Sequence, residues 1–244
     1  RRWVDKGYSF KRRRAIVAAG CFARAAWGEL AGLGLTALTV PEAHDGMGLG
    51  PVDAMLAMEE LGRGLVLEPL GQAFIAASVL ARYAPQDLQA AWLPRVASGE
   101  ALVVLAQQER KARYRLDVCE AKAAKAQSGY AVTAIKSVVP AGDKADAFIV
   151  PAQLDGKIAL FLVERSAAGV TTRGYVTQDG SRAAEVQLAN APATLITTDG
   201  LAALELAVDT GIAAACAEAV GVMDKTVAIT VEYMNQRKQF GVFI

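Results

Sequence analysis

Five residues near the end of the chain, Arg237-Lys238-Gln239-Phe240-Gly241, bring together a guanidinium, an ammonium, an amide and an aromatic ring. A guanidinium offers a fixed fork of donors that suits phosphate, and Gln239 can donate to the same oxygens. The other role open to Arg237 is a cation at a helix C-terminus, where the helix dipole favours it. Phe240 fits a ligand ring or plain core packing equally well. A second polar pair, Gln107-Gln108, directly follows the apolar run Ala101–Ala106, where amides can serve a ligand or only the mouth of a sheet. His44 is the only histidine and sits among glycines, a structural setting rather than a catalytic one. Cys21, Cys119 and Cys216 are scattered, with no CxxC spacing, so neither a zinc site nor a disulfide framework is indicated, and a reducing cytoplasm fits. Asp209 and Glu218 read as solvated or salt-bridged carboxylates, and no general base can be assigned.

Composition sets the frame for these groups. The 244 residues are 53% hydrophobic and 21% charged, enough apolar surface for a substantial core. A net charge of +1 gives no reason to expect nucleic acid or an anionic membrane as partner. The run Lys11-Arg12-Arg13-Arg14 reads as a solvated helix face. No apolar run is expected to reach the ~18 residues of a membrane span.

The elements that must position the candidate groups fall into three blocks. The first hundred residues carry helical periodicity: one helix over Ala15–Gly32 with Trp27 and Leu30 on its inner face, one opening at Pro51 with Val52, Met55, Leu56 and Leu61 on one face, and one opening at Pro85 and ending before Pro94. After Gly99 the period changes to short β-branched runs at 101–106, 130–135, 147–150, 158–163 and 184–188, punctuated by Gly129, Gly142, Asp155-Gly156, Gly169 and Asp179-Gly180. Strands in sequence with turn-length links predict an antiparallel sheet or barrel. From Asp199, which can cap it, a helix of about thirty residues spanning roughly 45 Å follows. Val208, Ile212, Ala215, Ala219, Val222, Ile229 and Tyr233 recur along it, and its many alanines predict close helix neighbours.

That order, with four local matches, resembles the acyl-CoA dehydrogenase family over the whole chain. The matches are Gly34-Leu35 through Val40-Pro41-Glu42 to Gly46-Met47-Gly48-Leu49, then Trp92-Leu93-Pro94 with Ala97-Ser98-Gly99-Glu100, then Phe161-Leu162-Val163-Glu164 with Gly169-Val170, and finally Arg237-Lys238-Gln239-Phe240-Gly241. The resemblance implies an α+β multidomain subunit: an N-terminal α-helical domain over residues 1–100, a middle antiparallel β-barrel over 101–195, and over 196–244 the first long helix of an incomplete C-terminal four-helix bundle.

The same resemblance implies FAD between barrel and last domain, an acyl-CoA substrate, tetramers that are homo- or hetero-oligomeric, and an electron-transfer flavoprotein as electron acceptor. It assigns flavin contacts to Gln107 and Gln108 and to the segment holding Val138 and Pro140. It assigns FAD bound by a neighbouring subunit to Arg237, Gln239 and Phe240. The chain departs from the pattern where Arg110–Arg115 replaces a glycine-serine loop, and where Val138 and Pro140 replace an aromatic ring and a hydroxyl group. The base is implied downstream of Ile244, or in a minority of the family at Gly211, which has no carboxylate. Arg113 and Tyr114 fall where the family meets substrate and flavin. The implied activity is α,β-dehydrogenation of a thioester, with fatty acyl, steroid side-chain and dicarboxylate substrates all open. The alternative is a non-catalytic partner subunit that completes a neighbour's FAD site; an oxidase or flavin monooxygenase on the same fold is a third, weaker reading.

Overall fold

The computed structural model describes residues 1–244. Six helices come first: α1 (Arg2–Gly7), α2 (Phe10–Ala18), α3 (Arg24–Gly32), α4 (Pro51–Arg63), α5 (Leu70–Tyr83) and α6 (Gln86–Ala97). The single helix expected over Ala15–Gly32 is two, because Gly20 and Cys21 both adopt positive φ and turn the chain between α2 and α3. Pro51 does open α4, where the Gly50 amide donates to Asp53 Oδ2 at 3.1 Å. The expected stop before Pro94 is corrected: α6 runs through Pro94 to Ala97. Proline removes its own amide from the ladder and crowds the Ala90 carbonyl, but buried Trp92, Leu93, Val96 and Ala97 hold the last turn on the core.

Seven strands follow: β1 (Val103–Leu105), β2 (Lys122–Lys125), β3 (Tyr130–Pro140), β4 (Ala147–Leu154), β5 (Lys157–Glu164), β6 (Val170–Val176) and β7 (Arg182–Thr197). The pairings β4–β5, β5–β7, β7–β3, β3–β2 and β2–β4 return to their start, so these five strands close a barrel. Strand β1 adds to β4 and β6 lies on β7. The pairings are antiparallel except at one seam, where β1 and the single bridge Lys122–Gln153 meet β4 in parallel. Strands β2 and β6 escape a sequence reading: the first is a mostly exposed Lys-Ala-Ala-Lys, and the second is interrupted by Arg173-Gly174.

Helix α7 (Gly200–Gln236) has 37 residues, about 55 Å, longer than expected. Asp199 occupies its cap position, but its side chain makes no cap hydrogen bond. An 18-residue window of α7 reaches a mean hydropathy of 1.5, so by length and composition this helix is apolar enough to cross a membrane, which corrects the expectation that none is. In this fold it lies across α4 and α5. Its buried residues are Gly200, Ala203, Leu204, Ala207, Ala214, Ala217 and Gly221, whereas Ile212, Ile229 and Tyr233 are exposed. Helix α4 shows the same inversion: it buries Ala54, Met58, Leu61 and Gly62 and leaves Val52, Met55 and Leu56 exposed. The reason is close approach. A Cβ on Gly62 would stand 2.1 Å from the Glu218 carbonyl oxygen, and one on Gly221 1.8 Å from that of Glu59. The two backbones touch through glycine, so the small face packs and the large side chains point away.

Helix α5 is buried almost all round, as expected of an element packed on every side. Bonds across the layers fix its surroundings: Trp27 Nε1 donates to the Gly99 oxygen at 2.8 Å, Thr36 Oγ1 to that of Ala97 at 2.7 Å, and the Leu105 amide to Gln72 Oε1 at 2.9 Å. The basic run on α2 is in part the solvated face expected of it, with Lys11 and Arg14 exposed, while Arg12 and Arg13 make tertiary bonds. Arg12 donates twice to Glu29, and Arg13 bonds the carbonyl oxygens of Leu65 (2.8 Å) and Asp179 (2.6 Å), tying α2 to the α4–α5 link and to the β6–β7 turn. After α7 come β8 (Lys238–Gln239) and β9 (Val242–Phe243), a short hairpin.

Candidate functional site

A cleft runs between the helical layer, the barrel rim and α7, as three cavities of about 370, 280 and 370 Å³ that share walls. Gln107, Gln108, Val138 and Pro140 come together around the central one. The two segments converge because the Ser137 amide donates to the Gln108 oxygen at 2.8 Å. A register break between Lys136 and Val139 leaves Val138 at φ 52° and about half exposed. A bulge of this kind re-aims a side chain, and positive φ on a β-branched residue is rare enough to mark a site. Gln107 Oε1 is a buried acceptor with no partner.

The floor of the central cavity is α7, through Ala207, Val208, Gly211, Ile212 and Ala215. A Cβ on Gly211 would meet Ile75 Cδ1 at 3.1 Å, so the glycine belongs to the α5–α7 contact. No carboxylate lines this cavity. Arg113 and Tyr114 border the outer cavity together with Cys119; Arg113 has φ 51° and the Tyr114 side chain is 92% exposed.

Beneath this segment lies a buried ion pair that the sequence reading missed. Lys136 Nζ donates to Glu109 Oε1 at 2.6 Å and to the Pro151 oxygen at 2.8 Å. Glu109 also accepts the amides of Glu120 (2.5 Å) and Ala121 (3.1 Å). Burial pushes the Glu109 carboxyl up, but Lys136 and the two amides outweigh it and hold it below the ordinary carboxylate range. The pair therefore pins both ends of the 109–121 segment to the barrel. A signal was present in β3: Val132, Ala134 and Lys136 alternate onto its buried face.

The inner cavity holds carboxyl groups. Glu68, Asp179 and Glu218 line it, from the α4–α5 link, the β6–β7 turn and α7. Glu68 is 4% exposed and its oxygens, sealed from the cavity, make no well-formed hydrogen bond, the Tyr8 hydroxyl being the side-chain donor beside them. Burial raises its pKa, against a milder pull from the Tyr8 hydroxyl. Glu218, expected to be solvated or salt-bridged, is half-buried and its pKa is raised by burial and by Asp179. Asp209 is exposed, as expected.

Arg237, Gln239 and Phe240 do not join this cleft. Arg237 follows the last turn of α7, and Phe240 and Gly241 form the tip of the terminal hairpin, with Phe240 fully exposed. Gly211 and Gln236 are about 38 Å apart along the helix, so these three residues lie far from their own chain's central cavity.

Comparison with known proteins agrees with this architecture. Residues 1–100 match the family described as "Acyl-CoA dehydrogenase, N-terminal domain". Acyl-CoA dehydrogenase FadE27 of Mycobacterium tuberculosis is 28% identical over 223 residues, 90% of this chain and 58% of that protein. The chain is thus similar to acyl-CoA dehydrogenases along most of its length. Among solved structures, the Tcur3481-Tcur3483 steroid ACAD superimposes with a TM-score of 0.90 at 28% identity, covering 98% of this chain and 65% of that one. The ChsE4-ChsE5 complex of Mycobacterium tuberculosis gives 0.86 at 26% identity, with the same coverage. The chain thus spans a little over half the length of the curated relative it matches.

Proposed function

We propose that this chain contributes to an FAD-dependent acyl-CoA dehydrogenase and that its central cavity is where flavin and thioester meet. The observation that carries the reading is the partnerless Gln107 Oε1, buried where two barrel segments converge over the Ala207–Ala215 stretch of α7. An acceptor in that state calls for a donor, which the ring edge of a flavin offers. Gln107 and Gln108 would hold that edge, and Val138 and Pro140 would border the ring without a side-chain donor, Pro140 also lacking an amide hydrogen. FAD, when bound, supplies the hydride-accepting chemistry. This chain's own residues bind, orient and exclude water. Because no carboxylate lines the central cavity, the proton beside the thioester carbonyl goes to a base supplied from outside residues 1–244. Arg237 and Gln239 would reach the diphosphate of FAD held by an adjoining protomer of a tetramer, with an electron-transfer flavoprotein as the electron acceptor.

The carboxylate-free cavity and the donor-poor Val138–Pro140 rim also favour a second reading, a partner subunit that completes a neighbour's FAD site without turning over substrate itself. Flavin content of the purified full-length protein, alone and with any co-purifying subunit, tests both. One FAD per subunit, bleached by an acyl-CoA, supports the first reading. One FAD per two subunits supports the second, and no flavin in any assembly contradicts both.

A further inference from the structure

The segment Arg110–Arg115 takes no part in the flavin contacts above, yet the fold fixes it at the mouth of the cleft. Lys136 and the Glu120 and Ala121 amides, all bonded to Glu109, clamp both ends of the loop that carries it. Ala112 is buried and Leu116 packs on the core, so the segment is seated from below. Its outward side chains include the cations Arg110, Lys111, Arg113 and Arg115. Two of these are already paired. Lys111 Nζ donates to Glu120 Oε1 at 2.6 Å, and Arg115 donates twice to Asp117, at 3.0 and 2.5 Å. The guanidinium groups of Arg110 and Arg113 have no carboxylate partner and make no hydrogen bond. Arg113 holds a left-handed backbone at φ 51°, uncommon for a residue with a long side chain. Tyr114 beside it is almost wholly exposed.

These three side chains border a fourth cavity of about 410 Å³, together with Gln108 and Val138. Two carboxylates also reach it, and each has company. Glu109 is paired with Lys136. Glu185 accepts Ser137 Oγ at 2.9 Å and stands in register with Arg173 of β6. The outer cavity shares Gln108, Arg113 and Tyr114 with this one, and shares Gln107, Gln108, Val208 and Ile212 with the central one. A molecule that lies outward along the cleft from the central cavity therefore ends among two free guanidinium groups and an open phenol ring. A guanidinium suits phosphate, and an aromatic face suits a planar base.

We propose that Arg110, Arg113 and Tyr114 form a subsite for the nucleotide end of a CoA thioester, with the guanidinium groups on its phosphates and the Tyr114 ring against its adenine. This assignment rests on the dehydrogenase reading above. FAD carries an adenosine diphosphate group too, so the test separates the two sources.

The test uses full-length protein with its FAD, and with its partner subunit where it has one. Calorimetry compares CoA with 3′-dephospho-CoA. CoA is expected to bind about tenfold or more tightly, the effect of one charged hydrogen bond. The double variant Arg110→Gln/Arg113→Gln is expected to weaken CoA about tenfold or more and to bring the ratio of the two affinities close to one. Tyr114→Ala is expected to weaken both ligands alike, about fivefold or more, and to keep the ratio. The three side chains are exposed and unbonded, so Tm and flavin content should match wild type. A wild-type ratio near one, or a ratio unchanged in the double variant, overturns the subsite. Flavin lost from the double variant while CoA affinity is kept assigns the loop to FAD and overturns it as well. Bleaching of the flavin by an acyl-CoA tests the dehydrogenase reading separately. The expected CoA pattern without bleaching by any acyl-CoA sinks that reading and leaves the CoA site standing.

Discussion

Two glutamates, one under the barrel rim and one in the helical domain, are buried to the same extent and treated in opposite ways. On the barrel side, Glu109 receives an ammonium and two amides, and its charge holds a segment in place. On the helical side, Glu68 is as deeply buried but meets no cation, and burial outweighs the pull of the Tyr8 hydroxyl on its carboxyl group. A paired buried charge is an internal strut, and breaking it is expensive. A buried carboxyl group without a cation is a cost to the fold.

The largest expected effect breaks the strut. Lys136→Met leaves the Glu109 charge uncompensated and should cost about 3–5 kcal/mol in urea unfolding. Adding Glu109→Gln, which removes the charge but keeps an acceptor for the Glu120 and Ala121 amides, should recover about half or more. The pair also sets an acid limit. The folded pKa of Glu109 is depressed, so its contribution is complete above the unfolded carboxyl value of about 4.3 and is lost as pH falls through the folded one.

Next comes the crossing that shapes the helical wall. Gly221→Ala drives a methyl group into the Glu59 carbonyl oxygen and should cost about 1–3 kcal/mol by overpacking, seen as a fall of several degrees in Tm. Glu68→Gln has the opposite sign. It should stabilise the ligand-free protein at neutral pH by about 1 kcal/mol. The wild-type group has a raised folded pKa, so its cost is full only above that value and vanishes below about 4.3; the gain must shrink as pH falls. Thermal melts of wild type and variant across pH check the sign. The smallest effect is Arg12→Met, which removes the surface pair with Glu29. It should cost under about 1 kcal/mol, less in high salt, because such pairs are screened.

How much of this was legible in the sequence depends on the range of the interaction. Strands bounded by glycine turns and a helix opened by Pro51 are local, and they were readable. The seam between β1 and β4 was not, since nothing within either strand declares its partner. The packed face of α4 was misread because bulk was taken as the mark of burial, whereas Gly62 makes the contact; on α7 the small residues, Ala214, Ala217 and Gly221 among them, make the close approach that its composition predicts. Lys136 could be found from the alternation of β3, but its partner lies 27 residues away in a loop. Gln107, Gln108, Val138 and Pro140 were gathered by resemblance, and the structure brings them around one cavity. Arg237, Gln239 and Phe240 were gathered the same way and lie at the far end of α7.

The most direct test is a structure of the full-length protein grown with FAD and an acyl-CoA. The account predicts the flavin ring edge within about 3 Å of Gln107, the acyl chain passing beside Gly211, and no carboxylate of residues 1–244 beside the thioester α-carbon. A flavin seated outside the cleft, or a thioester α-carbon beside a carboxylate of residues 1–244, would contradict it.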